Sequence, residues 1–293
     1  MRIKYSDDKK KFSIHEEGIP YLSACVLDGL GVPNLFSTRF ISWNEENGTG
    51  TEGLRPTLME DDDISAAAPV ILDVRDRLAR QLGSSIDFEC VTDQKHTSHV
   101  HVVTENDLGP FWPRPLPLHR RYVDGLVTDI PDVLLTVFGG DCPPVYLADP
   151  VRKAVGLVHA GRKGTLGRIP SVAIGRMVLN FGCDPADMYA VIGPGVCMDC
   201  YEMGDEIYDE FASAWGSPGA DRILKRYPSG KYHLDLREAN RMTLLRAGIP
   251  EDHISVSNIC TVCNADILYS YRAGRLENEG AAMIVNRFSG EIT

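Results

Sequence analysis

The chain has 293 residues, 43% apolar and 24% charged, a composition that can bury a large core without disulfide staples. Its net charge of −11 argues against broad nucleic-acid binding or an anionic membrane surface. No apolar run of about 18 residues is present, so no membrane span is predicted, and MRIKYSDDKKKF at the start lacks a signal-peptide pattern.

Residues 1–20 are polar and carry no pattern. Short apolar runs over 21–36 are broken by Gly29, Gly31 and Pro33, and 36–43 reads as a strand leading into a loop. The stretch 44–63, rich in Gly, Asn, Glu and Asp, reads as a flap or a solvated insertion. The spacing of Ala67, Ala68, Ile71, Leu72, Arg75, Leu78 and Leu82 predicts a helix over 65–82, stopped by Gly83. Strands are expected over 86–91, 99–104, 122–127 and 133–138, with a proline-rich loop over 108–119.

Two apolar runs then follow, Pro144–Asp149 and Ala154–His159, joined by Asp149-Pro150 and the charged Arg152-Lys153. Folding this hairpin about residue 151 brings Cys142 and His159 to the same end. Further helices are expected over 169–181, 205–215 and 236–247, the last with Asp235 as cap and Gly248 beyond its end. Strands are expected over 188–192, 254–259, 267–271 and 281–285. The predicted fold class is α/β of the α+β type: a layered sandwich of mixed sheets covered by helices.

Chemistry concentrates around the hairpin. A Cys beside a His permits two readings: a thiol nucleophile deprotonated by the imidazole, or a pair of metal ligands in need of a third. His96, at a strand–loop junction, is the best third ligand, and two His plus one Cys leave a fourth position open, the pattern of catalytic rather than structural zinc. Gly161-Arg-Lys-Gly-Thr165 precedes a helix and suits an anion, with Arg162, Lys163 and loop amides as donors. It lacks the spacing of a P-loop. His99 and His101 share one strand face. Cys197/Cys200 and Cys260/Cys263 form two Cys-x-x-Cys pairs too far apart for a compact zinc ribbon by spacing alone, though a fold could join them. Eight cysteines are too few for a disulfide scaffold, so a cytoplasmic, reducing location is expected.

Gln94-Lys-His96, Asp124-Gly-Leu-Val-Thr-Asp129, Gly140-Asp-Cys-Pro143, His159-Ala-Gly161, Ile192-Gly-Pro194, Cys200-Tyr-Glu-Met-Gly204, Cys260-Thr261 and Ser270-Tyr-Arg272 occur in this order along the chain. Taken together they resemble the laccase-domain family, also called multicopper polyphenol oxidase-like or peptidoglycan editing factor. The resemblance covers roughly 36–283 and implies a single domain over 1–293, with a fold related to cysteine hydrolases. Family members are regarded as purine nucleoside phosphorylases, some with adenosine deaminase activity. The resemblance therefore implies a purine nucleoside and phosphate as partners, a monomer or homodimer, and zinc (or copper) held by His96, Cys142 and His159. It adds Asp141 as a catalytic carboxylate, and Arg39, Gln94 and Thr165 beside Arg162 and Lys163 as substrate-binding residues. Arg162 stands where the family usually has Trp, Gly140 where it usually has Ala, and Asn278-Glu279-Gly280 where it usually reads Thr-Gly-Arg. A Cys–His hydrolase acting on an amide or a peptidoglycan-type substrate is the alternative. A non-catalytic nucleoside- or metal-binding protein is a third reading. Multicopper oxidation needs several His-rich sites, and this chain has eight His and one His-x-His.

Overall fold

The computed structural model describes residues 1–7, 9–40, 68–109, 121–274 and 279–289. The expected flap over 44–63, and all of the proline-rich loop except 108–109, lie outside them.

Two six-stranded sheets face each other. The first contains β1 (Phe12–His15), β2 (Tyr21–Ala24), β3 (Asn34–Ser37), β4 (Glu89–Val91), β7 (Leu134–Gly139) and β15 (Gly280–Val285), in the order β1-β2-β3-β15-β7-β4. The second contains β5 (Val100–Val102), β6 (Gly125–Thr128), β8 (Pro144–Asp149), β9 (Ala154–His159), β10 (Tyr189–Ile192) and β14 (Ile254–Val256), in the order β14-β10-β8-β9-β6-β5. Both mix parallel and antiparallel pairs, as expected.

Alternation along each central strand fills both faces, because both are covered. On β15, Ala282 and Ile284 enter the core between the sheets, while Ala281, Met283 and Val285 face outward. That outer face packs against Val74, Leu78 and Ala79 of α2 (Ala68–Gln81). On β8, Tyr146 and Ala148 point into the shared core. Val145 and Leu147 point to a layer completed by Ile169, Ala173 and Met177 of α4 (Ile169–Phe181) and Leu244 of α7 (Leu236–Arg246). The architecture is thus helix, sheet, sheet, helix. A smaller unit, β11 (Glu202–Met203), β12 (Leu224–Arg226) and β13 (Tyr232–Leu234) with α5 (Glu206–Trp215) and α6 (Ser217–Ile223), has its own core around Phe211, Trp215 and Ile223. Two short helices, α1 (Cys25–Gly29) and α3 (Arg162–Leu166), complete the set among the described residues.

Local signals account for the elements that matched. Asp235 caps α7 by accepting from the N–H groups of Arg237 and Glu238 at 3.1 and 3.0 Å. Gly182 ends α4 in the left-handed region at φ 69°. In the β8–β9 turn, Asp149 Oδ1 accepts from the N–H groups of Val151 and Arg152, both at 2.9 Å. The hairpin pairs Pro144 with His159 and Asp149 with Ala154, one residue off a fold centred on residue 151. Cys142 still lies just beyond the strand end opposite His159.

Three expectations are corrected. Residues 86–88 form a 3-10 turn, so only 89–91 is strand; Ser85 accepts from the Asp87 N–H and starts the turn. Residues 267–271 are not a strand, because the N–H groups of Ile267 and Leu268 both bond to Asn264 O at 2.8 Å. The supposed anion loop is the helix α3 itself. The polar start also hides a strand: β1 pairs with β2 at the sheet edge. No helix of the described residues is long and apolar enough to cross a membrane.

Candidate metal centre

His96, Cys142 and His159 come together, their ligand atoms all within 4.8 Å of one another. His159 sits on the last residue of β9 and is 3% exposed, whereas His96 is open to solvent. Cys142 Sγ lies 3.9 Å from His96 Nε2. On their inner side, Cys142 and His159 border a narrow gap too small for water, lined by Phe36, Gly139, Pro144 and Ala282.

The organiser of this group is Asp124, one residue before β6 and completely buried. Its Oδ1 accepts from His159 Nδ1 at 2.9 Å and from the His96 N–H at 3.0 Å. Its Oδ2 accepts from the N–H groups of Lys95 and Thr97 at 3.1 and 2.7 Å and from the Thr97 hydroxyl at 2.8 Å. Three consecutive amides converging on one carboxylate bend the chain, and His96 adopts φ 58°, in the left-handed region. One side chain thus aims both imidazoles. The bond to Nδ1 also fixes the tautomer that leaves His159 Nε2 as the ligand atom.

The electrostatics follow. Burial alone would raise the Asp124 carboxyl, but the His159 and Thr97 donors hold it down at about 2. Burial would likewise raise the Cys142 thiol, yet the His159 and His96 imidazoles bring it down to about 7. Burial opposes a charge on His159, but Cys142 and Asp124 outweigh it and lift the imidazole to about 10.

Glycines decide how close the neighbours come. A Cβ on Gly161 would lie 2.7 Å from Cys142 Sγ and 2.9 Å from His96 Cδ2. At Gly164 it would meet Thr97 O, and at Gly167 the Ser98 side chain, each at 2.9 Å. Spaced by three, these glycines line one face of the turn that starts at α3 and seat it on the His96 bend. They serve close packing rather than anion binding. Two imidazoles, a low-lying thiol and a cradle that a single methyl would fill are a fitting donor set for a soft or borderline divalent ion. Gly161 has φ −70°, which alanine adopts freely, so Gly161→Ala tests the cradle alone. It is expected to leave the fold intact and weaken metal binding by roughly 10–100-fold, about 1–3 kcal/mol of overpacking, read by metal titration.

Without a bound metal, the pair is expected to stand as thiolate and imidazolium between about pH 7 and 10. Metal uptake needs a neutral imidazole, so binding at pH 8 is expected to expel the His159 proton. Below pH 7 the thiol must also be deprotonated, so affinity falls further with acid. Calorimetry in two buffers of different ionisation enthalpy measures the released protons.

The other expected site residues are placed differently. Asp141 is 8% exposed, and its carboxylate accepts from the Thr261 and Ser270 hydroxyls and the Arg272 N–H, each at 2.7 Å. It ties three loop residues to the position before Cys142, so the expected catalytic carboxylate is held as a structural tie. Thr165 is buried; its hydroxyl donates to Ala160 O and meets the Asn240 amide, so it joins α3 to α7 instead of facing substrate. Gln94 is buried too and clasps Phe138, donating to its carbonyl at 2.6 Å and accepting from its N–H at 2.7 Å. Arg39 donates to Ala265 O at 2.8 Å. Arg162 is paired with Glu210, while Lys163 is exposed. His101 bonds Asp107 at 3.0 Å inside a turn cap, and His99 is exposed.

Two groups escaped the sequence reading. Asp124 was visible only as part of a motif. Arg272 lies with its guanidinium 4.8 Å from the Tyr201 ring. Burial, then Cys142, pushes the Tyr201 hydroxyl up to about 12, while Arg272 and Arg162 pull the other way, so these three side chains all act on one phenol.

A two-sheet sandwich carrying a Cys/His₂ group at the end of its inner hairpin defines a laccase-like α/β protein. The chain belongs to the multi-copper polyphenol oxidoreductase laccase family, whose description matches residues 62–285. It is similar to a purine nucleoside phosphorylase of Deinococcus radiodurans, 36% identical over 94% of this chain and 96% of that protein. It is also similar to adenosine deaminase RL5 of an unknown prokaryotic organism, 34% identical over 69% of this chain and 76% of that one. The crystal structure of YlmD from Geobacillus stearothermophilus superposes with a TM-score of 0.78 at 27% identity, covering 96% of this chain and all of that one.

Proposed function

We propose that the protein is a zinc-dependent purine nucleoside phosphorylase with adenosine deaminase activity. The observation that carries this reading is the Cys142/His159/His96 group, open to solvent at His96 and oriented by Asp124, in a chain similar to a purine nucleoside phosphorylase and to an adenosine deaminase.

In phosphorolysis, a phosphate oxygen forms a bond to the ribose anomeric carbon as the bond to the base nitrogen breaks. The bonding pair leaves with the base, which takes up a proton. Negative charge on phosphate and on the departing base calls for fixed donors. Arg272 and Arg162, which both act on the Tyr201 phenol that Cys142 also acts on, can meet this need, Arg162 while held by Glu210; Lys163, next along α3, is exposed. His96, Cys142 and His159 would hold the ion, which when bound supplies a Lewis acid and lowers the pKa of a bound water. Asp124 keeps both imidazoles aimed, and Asp141 keeps the Cys142 loop in place. All eight cysteines are free thiols, which suits a reducing cytoplasm.

The Cys–His hydrolase reading is favoured by one observation: Cys142, His159 and Asp124 also stand in the order of nucleophile, base and orienting carboxylate. Multicopper electron transfer needs several His-rich sites, whereas the two groups able to hold an ion among the described residues are this one, with two His, and four cysteines.

The test is a screen of inosine, guanosine and adenosine with and without phosphate, on metal-loaded and metal-free protein. Phosphate-dependent release of base with ribose 1-phosphate, and phosphate-independent conversion of adenosine to inosine, are expected only with metal. Equal phosphorolysis by rigorously metal-free protein would overturn the reading.

A further inference from the structure

The fold brings the two Cys-x-x-Cys pairs together. The sulfurs of Cys197, Cys200, Cys260 and Cys263 all lie within 4.8 Å of one another. The first pair brackets a 3-10 turn, Met198–Cys200, after β10; the second follows β14. These two strands are parallel neighbours, and a parallel bridge between Gly195 and Cys260 carries the pairing into both loops. The pairs therefore approach in register, with Cys197 matched to Cys260 and Cys200 to Cys263, each 63 residues apart.

Three features separate this cluster from ordinary packing. Cys263 is exposed, and Cys197 and Cys200 are half-buried, so these thiols do not serve as core filler. The N–H groups of Cys197 and Cys263 both point at the Cys260 sulfur, the former at 3.3 Å, as amides do around a thiolate turn. Cys200 Sγ and Cys263 Sγ stand 3.7 Å apart. A disulfide would bring them to about 2.05 Å. Ligands about 2.3 Å from a tetrahedral zinc stand roughly 3.8 Å from each other.

We propose that Cys197, Cys200, Cys260 and Cys263 form a second, structural metal site that binds one zinc ion as a closed tetrathiolate. Each thiol gives its proton to solvent as its bond to the ion forms. The ion clamps two loops that both hold the residue before Cys142. The Val196 N–H donates to Asp141 O at 2.8 Å, and the Thr261 hydroxyl donates to Asp141 Oδ1 at 2.7 Å. Val196 adjoins Cys197, and Thr261 adjoins Cys260. The clamp thereby sets the position of the loop that carries Cys142, without itself meeting substrate.

The test is metal analysis of the full chain, purified without chelator, as wild type, as His96→Ala/Cys142→Ala, and as Cys200→Ser/Cys263→Ser. Two zinc ions per chain are expected in the wild type and one in each double variant. Cobalt-loaded His96→Ala/Cys142→Ala should show the strong sulfur-to-cobalt charge-transfer and tetrahedral ligand-field bands of a four-sulfur site. Adding the single exposed change Cys263→Ser in that background should remove them, which keeps the test readable if the cysteine double variant fails to fold. Absence of the ion from His96→Ala/Cys142→Ala, or cobalt bands without four-sulfur character, overturns the proposal. So does a non-reduced intact mass matching two disulfides.

Discussion

Asp124→Ala is expected to destabilise the fold by about 3–5 kcal/mol and to weaken metal binding by at least 10–100-fold. The carboxylate accepts five hydrogen bonds, from three backbone N–H groups, the Thr97 hydroxyl and His159 Nδ1. Alanine leaves those donors facing a small apolar void, and an unpaired buried donor costs more than its bond contributed. His96 then has no reason to stay at φ 58°, and His159 loses the bond that selects its tautomer. Asp124→Asn separates the two effects. It retains the side chain's size and one accepting oxygen, so it should recover part of the stability and less of the metal affinity. Because the folded carboxyl titrates at about 2 instead of 3.8, its stabilising contribution is complete above pH 4 and disappears as pH falls toward 2. Denaturant melts at pH 7 and pH 3, with metal titrations, measure all three. An alanine variant within about 1 kcal/mol of wild type and with unchanged metal affinity would remove Asp124 from its organising role.

The gathering of the three candidate ligands is legible because each carries an unusual side chain next to a turn: His159 at the end of an apolar run, Cys142 before two prolines, His96 between strands. Asp124 was not, for a physical reason. Its main partners are backbone N–H groups, and backbone partners leave no pattern in side-chain identity. Gly161 and Gly164, which suit an anion loop by sequence, pack with Gly167 against Cys142, Thr97 and Ser98. Glycine permits both anion binding and close helix packing, and only the position of Thr97 and Ser98 beneath α3 decides between them. The same limit explains the strand expected over 267–271. Leu268 and Tyr269 are buried, as a strand would require, yet Asn264 takes two of the amides and turns the chain. The sandwich itself was readable because covered sheets need runs such as Ala-Val-Gly-Leu-Val-His on β9. What the runs could not reveal was that β14 lies beside β10, the pairing that gathers four cysteines from loops distant in sequence.

His96→Ala is the change that separates the two chemistries open to this site, and it is expected to be as damaging as Cys142→Ala. If Cys142 were a nucleophile with His159 as its base and Asp124 behind, His96 would be an accessory ring edge-on to His159 at 4.9 Å between centroids. Its loss would then leave most of the turnover. If the three side chains hold an ion, removing one of them strips a third of the protein's donors. The two that remain cannot fix a coordination geometry with a single open face. The ion of this site should be lost, leaving at most the one held by the four cysteines, and phosphorolysis should drop on the order of 100-fold or more, since even partners behind the ligands are worth 10–100-fold. The fold should hold, because His96 is exposed and the carboxylate that bends its backbone is untouched. Thermal melts, zinc content and inosine turnover on the same preparation decide the matter. A folded His96→Ala protein that has lost the ion of this site yet turns over inosine near the wild-type rate would hand the site to the thiol nucleophile.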